Sequence, residues 1–140
     1  MQQLIKLEED AFSNYLDAYG LVPLIMYGSV FVLYYQGKIV GTARYFRSWQ
    51  DPYRAHLSTL IINSNYQGLG LASRLLEYTL DWLLREGIRG VELTVDPKNR
   101  AACHLYLNKF NFLLKGYQED VYGAGEDRLI LFLSLNEGLK

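Results

Sequence analysis

The segment from Leu60 to Leu76 constrains the fold of this chain more than any other. It starts with an apolar run, passes through a polar turn and reaches two glycines, Gly68 and Gly70, just before a helical pattern. Polar and charged residues then separate the apolar positions, which are Leu69, Ala72, Leu76, Leu80 and Leu83. This order predicts a strand, a loop and an amphipathic helix that ends at Gly87.

The start of such a helix is suited to binding an anion. Backbone N–H groups of the first turn have no partner inside the helix, and the helix dipole places positive potential there. Gly68 and Gly70 would let a phosphate group approach the backbone closely, although a tight turn without a ligand explains the same glycines. A dinucleotide fingerprint matches only in part, because Ser73 stands where its third glycine belongs and the motif lies in mid-chain.

Two motifs together resemble the GNAT superfamily of acyl-CoA-dependent N-acyltransferases. Gln67-x-x-Gly70-x-Ala72 matches that family's Gln/Arg-x-x-Gly-x-Gly/Ala pyrophosphate loop, and Asn99 to Phe112 is similar to its second signature. The resemblance extends over Val30 to Leu135, nearly the whole chain. It implies a binding site for acyl-CoA that is formed by Leu60, Ile61, Ile62, Gln67, Gly68, Leu69, Gly70, Leu71, Ala72, Asn99 and Tyr106.

Composition narrows the class of protein. At 140 residues, the chain is expected to form a single GNAT-like domain around one core. A net charge of −1 gives no basic surface for nucleic acid or an anionic membrane. One cysteine excludes an internal disulfide, and two histidines argue against a zinc cluster, so no metal is expected. With no signal-peptide core and no apolar run long enough to span a membrane, we expect a soluble, unprocessed, cytoplasmic protein.

The hydrophobic pattern predicts strands and helices along the chain. An amphipathic helix is expected from Leu4 to Tyr19, where Gly20 and Pro23 break it and Leu21 to Tyr27 forms an irregular segment. A later helix is expected from Arg100 to Lys109, capped by Asn99. Predicted strands are Ser29–Tyr35, Lys38–Phe46, Tyr53–Ile62, Gly90–Asp96, Phe112–Tyr117 and Leu129–Leu135.

The expected fold class is α/β (α+β). The strand–helix–strand crossover places the strand that starts at Gly90 parallel to the one that ends at Ile62. Gln36-Gly37 predicts a tight hairpin, and Asn111 a left-handed exit from the second helix. The family resemblance implies a mixed, mostly antiparallel sheet of six to seven strands, with a central, splayed parallel pair and helices on both faces.

Tyr106 is the candidate general acid. It follows Asn99 by seven residues, so two helical turns place both residues on one face. A phenol with a pKa near ~10 can hydrogen-bond a thiolate, whose conjugate thiol titrates near ~8.5, and return its proton through water. A core tyrosine on an amphipathic helix is the alternative explanation, and the family resemblance favours the functional role.

The general base is less defined. Many relatives carry a glutamate on the strand before the pyrophosphate loop, whereas this chain has His56 and Ser58 there. His56 has an ordinary pKa near ~6.5, suitable for accepting a proton directly or through water, but a half-exposed strand histidine needs no catalytic role. Thr94 on the neighbouring strand is a candidate for holding a water molecule. Cys103 and His104 do not form a nucleophile–base pair, because neighbours on a helix do not face each other, so Cys103 is expected to pack.

The segment from Glu119 to Leu129 is similar to the part of ribosomal-protein and N-terminal acetyltransferases that contacts a peptide acceptor, with Tyr122 as the expected contact. Elsewhere in the superfamily this loop helps to bind small amines, and a plain surface hairpin is a third interpretation. The resemblance implies acetyl transfer from acetyl-CoA to a primary amine by direct attack in a ternary complex. A non-catalytic acyl-CoA-binding or sensing domain and a nicotinamide dinucleotide enzyme are alternatives. An exposed edge strand would allow a homodimer.

Overall fold

The computed structural model describes residues 2–11 and 18–136, and for residues 8–11 and 18–22 it describes the backbone alone. The helices of this part are α1 (Gln2–Ala11), α2 (Ala18–Tyr27), α3 (Leu71–Arg85) and α4 (Arg100–Cys103), which continues as a π-helix over His104–Lys109. The strands are β1 (Ser29–Tyr35), β2 (Lys38–Arg47), β3 (Arg54–Ile62), β4 (Gly90–Val95), β5 (Leu113–Gln118) and β6 (Arg128–Ser134). None of the described helices is long and apolar enough to cross a membrane.

The strands form one mixed sheet in the order β1-β2-β3-β4-β6-β5. Among the described strands, only β3 and β4 run parallel to each other, and the other neighbouring strands are antiparallel. The β1–β2 hairpin turns at Gln36 and Gly37, whose φ angles of 51° and 78° are those of the predicted tight turn. The predicted fold class and the parallel pair are therefore confirmed.

The two parallel strands separate soon after they meet. Arg54–His56 of β3 pairs with Gly90–Glu92 of β4, and the described ladder between them ends there. Beyond that point β4 continues to pair with β6 as far as Val95, while β3 stays paired with β2 as far as Ile62. A gap therefore opens between β3 and β4 toward the end of each strand, which is the predicted splay.

Side chains alternate along the strands and divide the core into two sides. Phe31 and Leu33 pack in the large cluster that includes α3, whereas Val30 and Val32 pack with Leu24 and the other side chains of a smaller cluster from α1 and α2. Helices thus cover both faces of the sheet. The buried side of α3 consists of Leu75, Leu76, Thr79, Leu80 and Leu83.

Leu69 was expected on the buried side of α3, and that expectation is wrong. The helix starts only at Leu71, and the side chain of Leu69 is 63% exposed. Gly70 adopts a left-handed conformation at the helix start, so the chain before it does not continue the helical period.

The prediction for the N-terminal region is also wrong. Ala18–Tyr27 forms α2, with Pro23 inside it, instead of the end of a first helix followed by an irregular segment; residues 12–17 lie outside the described part. Leu24 of α2 is buried against Leu4 of α1 and the β1 side chains. This apolar packing outweighs the helix-breaking tendency of Gly20 and Pro23, because local propensity is weak beside tertiary burial.

The helix after β4 has the predicted bounds but not the predicted regularity. Asn99 caps it, since its Oδ1 accepts a hydrogen bond from the Ala102 N–H at 3.1 Å. The second half is a π-helix, in which the Phe110 N–H bonds the Leu105 carbonyl five residues earlier at 3.1 Å. Asn111 then ends the helix with a φ of 60°, as predicted. Ala101 was expected to pack on the sheet but is exposed.

Candidate active site

A cleft of about 440 Å³ lies between the loop before α3 and the α4 helix. Its size suits a small organic ligand, since such pockets occupy roughly 300–1,000 Å³. Except for Ile61 and Leu69, the residues expected to bind the acyl donor all line it, namely Leu60, Ile62, Gln67, Gly68, Gly70, Leu71, Ala72, Asn99 and Tyr106. Ile61 is buried and alternates with its neighbours on β3, so its side chain points away, and Leu69 points to solvent.

The glycines of the loop are required by backbone conformation. Gly68 and Gly70 have φ angles of 80° and 75°, a left-handed region that other residues rarely adopt. A Cβ added at either position meets no atom within 4 Å, so the space above the loop is open. The first bond of α3 runs from Arg74 N–H to the Gly70 carbonyl at 3.2 Å, which leaves the N–H groups of the first turn available to an anion.

Hydrogen bonds attach this loop to the end of β3. The Gln67 side-chain amide donates to the Ile62 carbonyl at 3.0 Å. Asn63 bonds to the Val40 carbonyl through its backbone N–H at 2.7 Å and accepts the Asn65 N–H on its Oδ1 at 2.9 Å. These hydrogen bonds therefore hold the loop in a defined shape at the end of β3.

Tyr106 lies on the opposite wall of the cleft, with Asn99. Its side chain is 7% exposed, and its ring packs edge-to-face on Phe112 with the ring centroids 5.5 Å apart. Burial, and to a smaller extent the nearby Cys103 thiol, raise the pKa of the Tyr106 hydroxyl well above its ordinary value. The hydroxyl stays protonated at neutral pH and can donate a hydrogen bond. Cys103 itself packs against the core as expected.

His56 and Thr94 do not line the cleft. Ala55 and Leu57 on either side of His56 belong to the core around α3, so His56 points to the opposite face of the sheet. Thr94 lies on that same face, because its neighbours Leu93 and Val95 also pack in this core. Both residues flank the splay from the side opposite the cleft.

Glu92 is a candidate functional residue that the sequence analysis missed. It pairs in register with His56 across the parallel β3–β4 ladder and points to the same face. Burial lowers the pKa of His56 below its usual value, and the Glu92 carboxylate partly offsets this effect. The alternating pattern of β4 places Glu92 on the same face as Thr94, but the register that sets Glu92 opposite His56 is visible only in the structure.

Tyr122 lies apart from the cleft, in the loop between β5 and β6. The side chain is 67% exposed, and the Arg128 guanidinium carbon sits 5.0 Å from its ring centroid. Asp127 organises the loop by accepting from the Tyr117 hydroxyl at 2.5 Å and from the Asp120 N–H at 2.9 Å. The Asp127 hydrogen bond raises the pKa of Tyr117 to about 12 and lowers that of Asp127. These hydrogen bonds hold the loop as a hairpin that presents Tyr122 to solvent.

Comparison with known proteins decides the family. A sequence model of the acetyltransferase (GNAT) family matches residues 1–112. The chain belongs to the GNAT family. Acetyl-CoA is the acyl donor of this family, and all the residues that line the cleft lie within the matched range.

Individual GNAT relatives agree with this assignment. Over 73 residues, 51% of the chain, the identity to the N-terminal acetyltransferase A complex catalytic subunit ard1 of Schizosaccharomyces pombe is 33%. The aligned part is 41% of that relative's length, so the chain spans less than half of its curated relative.

Solved GNAT structures share the fold over nearly the full length. The ribosomal-protein-S18-alanine N-acetyltransferase from Escherichia coli has a TM-score of 0.83 at 23% identity, with 99% of this chain and 92% of that chain covered. Arabidopsis thaliana Naa50, solved in complex with the bisubstrate analogue CoA-Ac-MVNAL, also has a TM-score of 0.83 at 23% identity, with 96% and 91% covered.

Proposed function

We propose that this GNAT protein is an N-acetyltransferase that transfers an acetyl group from acetyl-CoA to a primary amine. The observation that supports the proposal best is the position of the cleft. It extends from the start of α3 to Leu60 and Ile62, in the part of β3 that no longer pairs with β4, with Tyr106 on its far wall. A donor that carries phosphates at one end and a thioester at the other suits these two features.

Each part of the donor has a matching part of the cleft. The first-turn N–H groups of α3, with Gly68 and Gly70 before them, bind the diphosphate. Backbone groups of Leu60, Ile61 and Ile62 bind the pantetheine amides where β4 no longer pairs with β3. A backbone N–H of this segment polarises the thioester carbonyl and stabilises the negative charge that develops on its oxygen.

The reaction is direct transfer between donor and amine. Acetyl-CoA supplies an activated acetyl group whose thiolate is the leaving group. The amine nitrogen attacks the thioester carbonyl carbon, a C–N bond forms, and the C–S bond breaks. Tyr106 hydrogen-bonds the sulfur and delivers a proton to it. The proton that the nitrogen loses passes first to His56 and then, through water, restores the tyrosine. Asn99 caps α4 and thereby fixes the helix that carries Tyr106.

The acceptor amine approaches from the face that carries His56, Glu92 and Thr94. His56 accepts the proton of the amine directly or through a water molecule that Thr94 holds. Burial keeps His56 neutral at neutral pH, and Glu92 stabilises the imidazolium that forms when it accepts the proton. Donor and acceptor therefore meet in the splay from opposite faces, without a covalent enzyme intermediate.

The acceptor that we propose is the α-amino group of a peptide. Two of the proteins similar to this chain are named for acetylation of protein N-termini or of a ribosomal-protein alanine, and a third was solved with a peptide-bearing bisubstrate analogue. The β5–β6 hairpin presents Tyr122 beside the end of the sheet, where it can contact a peptide backbone. A small primary amine is the second candidate acceptor, because it presents the same attacking nitrogen.

Release of free thiol from acetyl-CoA tests the proposal directly. The panel contains peptides with free N-termini, the same peptides with blocked N-termini, and polyamines. We expect thiol release with free N-termini and none with their blocked counterparts. Saturable binding of acetyl-CoA without release for any acceptor would instead favour a sensing domain. Release with polyamines alone would replace the peptide acceptor by a small amine.

A further inference from the structure

The cleft contains a lysine, Lys109, to which the sequence analysis assigned no role. Lys109 is the last residue of the π-helical segment and lines the cleft with Leu105 and Tyr106. Its ammonium Nζ donates a hydrogen bond to the Ser73 hydroxyl at 2.8 Å. Ser73 belongs to the first turn of α3, where the diphosphate of the donor is proposed to bind. The cation is thus held beside the phosphate-accepting end of the helix.

Lys109 supplies the only charged side chain among the described residues that line the cleft. Among the described lining residues, Lys109 is the only lysine or arginine, and no aspartate or glutamate lines the cleft. The loop residues 67–72 carry no charge, and the Gln67 amide already bonds the Ile62 carbonyl. A helix start contributes only about half an elementary charge. A diphosphate diester carries two negative charges, so the backbone alone leaves much of the ligand's charge uncompensated.

The π-helix explains how Lys109 reaches this place. Its wide last turn is closed by the bond from Phe110 N–H to the Leu105 carbonyl, five residues earlier in the chain. Leu105 and Lys109 both line the cleft, so the end of this helix turns toward α3. π-Helical turns occur frequently at functional sites.

We propose that Lys109 is a donor-binding residue whose ammonium group, held by Ser73, binds the diphosphate of acetyl-CoA at the start of α3. This inference rests on the proposed function and adds to it the residue that neutralises the donor. The Ser73 hydroxyl positions the lysine in the free protein. When the donor binds, the ammonium group bonds a phosphate oxygen as a charge-assisted hydrogen bond.

Titration calorimetry of Lys109→Gln with acetyl-CoA tests the proposal. We expect the Kd to rise by about tenfold, the effect of losing one charge-assisted hydrogen bond at an accessible site. The matched control is Arg74→Gln, which also removes one positive charge. Arg74 follows Ser73 at the start of α3, but its side chain is exposed and does not line the cleft. That variant should bind acetyl-CoA as the wild type does. Gln67→Arg, added to Lys109→Gln, should recover part of the affinity by returning a cation to the loop.

A second donor distinguishes the two phosphate groups of CoA. With 3′-dephospho-acetyl-CoA, Lys109→Gln should lose the same factor in affinity, because the diphosphate is still present. If Lys109→Gln bound this donor as tightly as the wild type does, Lys109 would be assigned to the 3′-phosphate and the proposal would be overturned. Wild-type affinity of Lys109→Gln for acetyl-CoA would also overturn it. Absence of acetyl-CoA binding by the wild-type protein would instead overturn the proposed function itself.

Discussion

Tyr106 is a core residue for which we propose a chemical role. Its ring packs on Phe112 in the core, and burial raises the pKa of its hydroxyl. A raised pKa keeps the proton on the phenol at neutral pH, so the hydroxyl can hydrogen-bond the departing sulfur, and full proton transfer requires that water reprotonate the phenol in the same step. Packing therefore fixes the position of the hydroxyl for the role that we propose.

Replacing Tyr106 by Phe should lower kcat by about 100-fold, the lower end of the usual contribution of a general acid. The Kd for acetyl-CoA should not change, because the hydroxyl contacts only the departing sulfur. Tyr78→Phe, an exposed position on α3, is the matched control and should retain wild-type turnover. Full turnover of Tyr106→Phe in a steady-state thiol-release assay would return Tyr106 to a packing role.

His56 and Glu92 predict a specific pH dependence. A neutral imidazole is the active form, so kcat/KM should fall as the pH drops through the pKa of His56. Burial places that pKa below the ordinary range of histidine, and the Glu92 carboxylate holds it up. Glu92→Gln should therefore move the acidic limb of the pH–rate profile to lower pH, and His56→Gln should remove that limb. A limb that stays in place in both variants would exclude His56 as the base.

The start of α3 is the structural element on which donor binding depends. Gly70→Asp should abolish binding of acetyl-CoA in a calorimetric titration, because a side chain and a negative charge would fill the open space above the loop. Gly37→Asp is the matched control. It has a φ of 78° and open space like Gly70, but lies in the β1–β2 turn away from the cleft. If Gly70→Asp binds acetyl-CoA normally while remaining folded, the loop does not hold the diphosphate.

Elements that a clear local pattern of apolar, turn or capping residues marks were predicted from the sequence, and elements that depend on tertiary packing were not. β1 and the helix from Arg100 to Lys109 have their predicted bounds, because alternation, turn residues and an N-cap mark them locally. α2 was missed because burial of Leu24 in a cluster built from distant residues stabilises a helix that contains Gly20 and Pro23. The π-helical turn and the contact between Lys109 and Ser73 also depend on tertiary packing, which no local pattern encodes.

The residues of the candidate site also divide into those that the sequence predicted and those that it did not. The loop glycines and the residues Asn99 and Tyr106 were found through two short motifs, and the structure brings them into one cleft. Glu92 beside His56 required the register of a parallel ladder, which sequence periodicity does not fix. The separation of β3 and β4 was expected only from the family resemblance, because no local pattern shows that two paired strands part after three residue pairs.

Close packing at Gly90, where β4 begins beside β3, contributes to the stability of the sheet. Gly90 begins β4 there, and a Cβ added to it would lie 2.7 Å from Phe132 Cζ. Gly90→Ala should destabilise the protein by about 1–3 kcal/mol through overpacking. The melting temperature in a calorimetric scan should fall by several degrees, and adding Phe132→Leu should restore part of the loss. An unchanged melting temperature for Gly90→Ala would show that the ring moves aside freely.

The most direct test of the central claim is mass spectrometry of a peptide with a free N-terminus after incubation with acetyl-CoA and the protein. We predict a single acetyl group on the α-amine, no acetyl group on the enzyme, and no product with Gly70→Asp. Peptide that stays unmodified for every N-terminal sequence and every amine tried, despite a folded wild-type protein, would contradict the account of this cleft as an acetyl-transfer site.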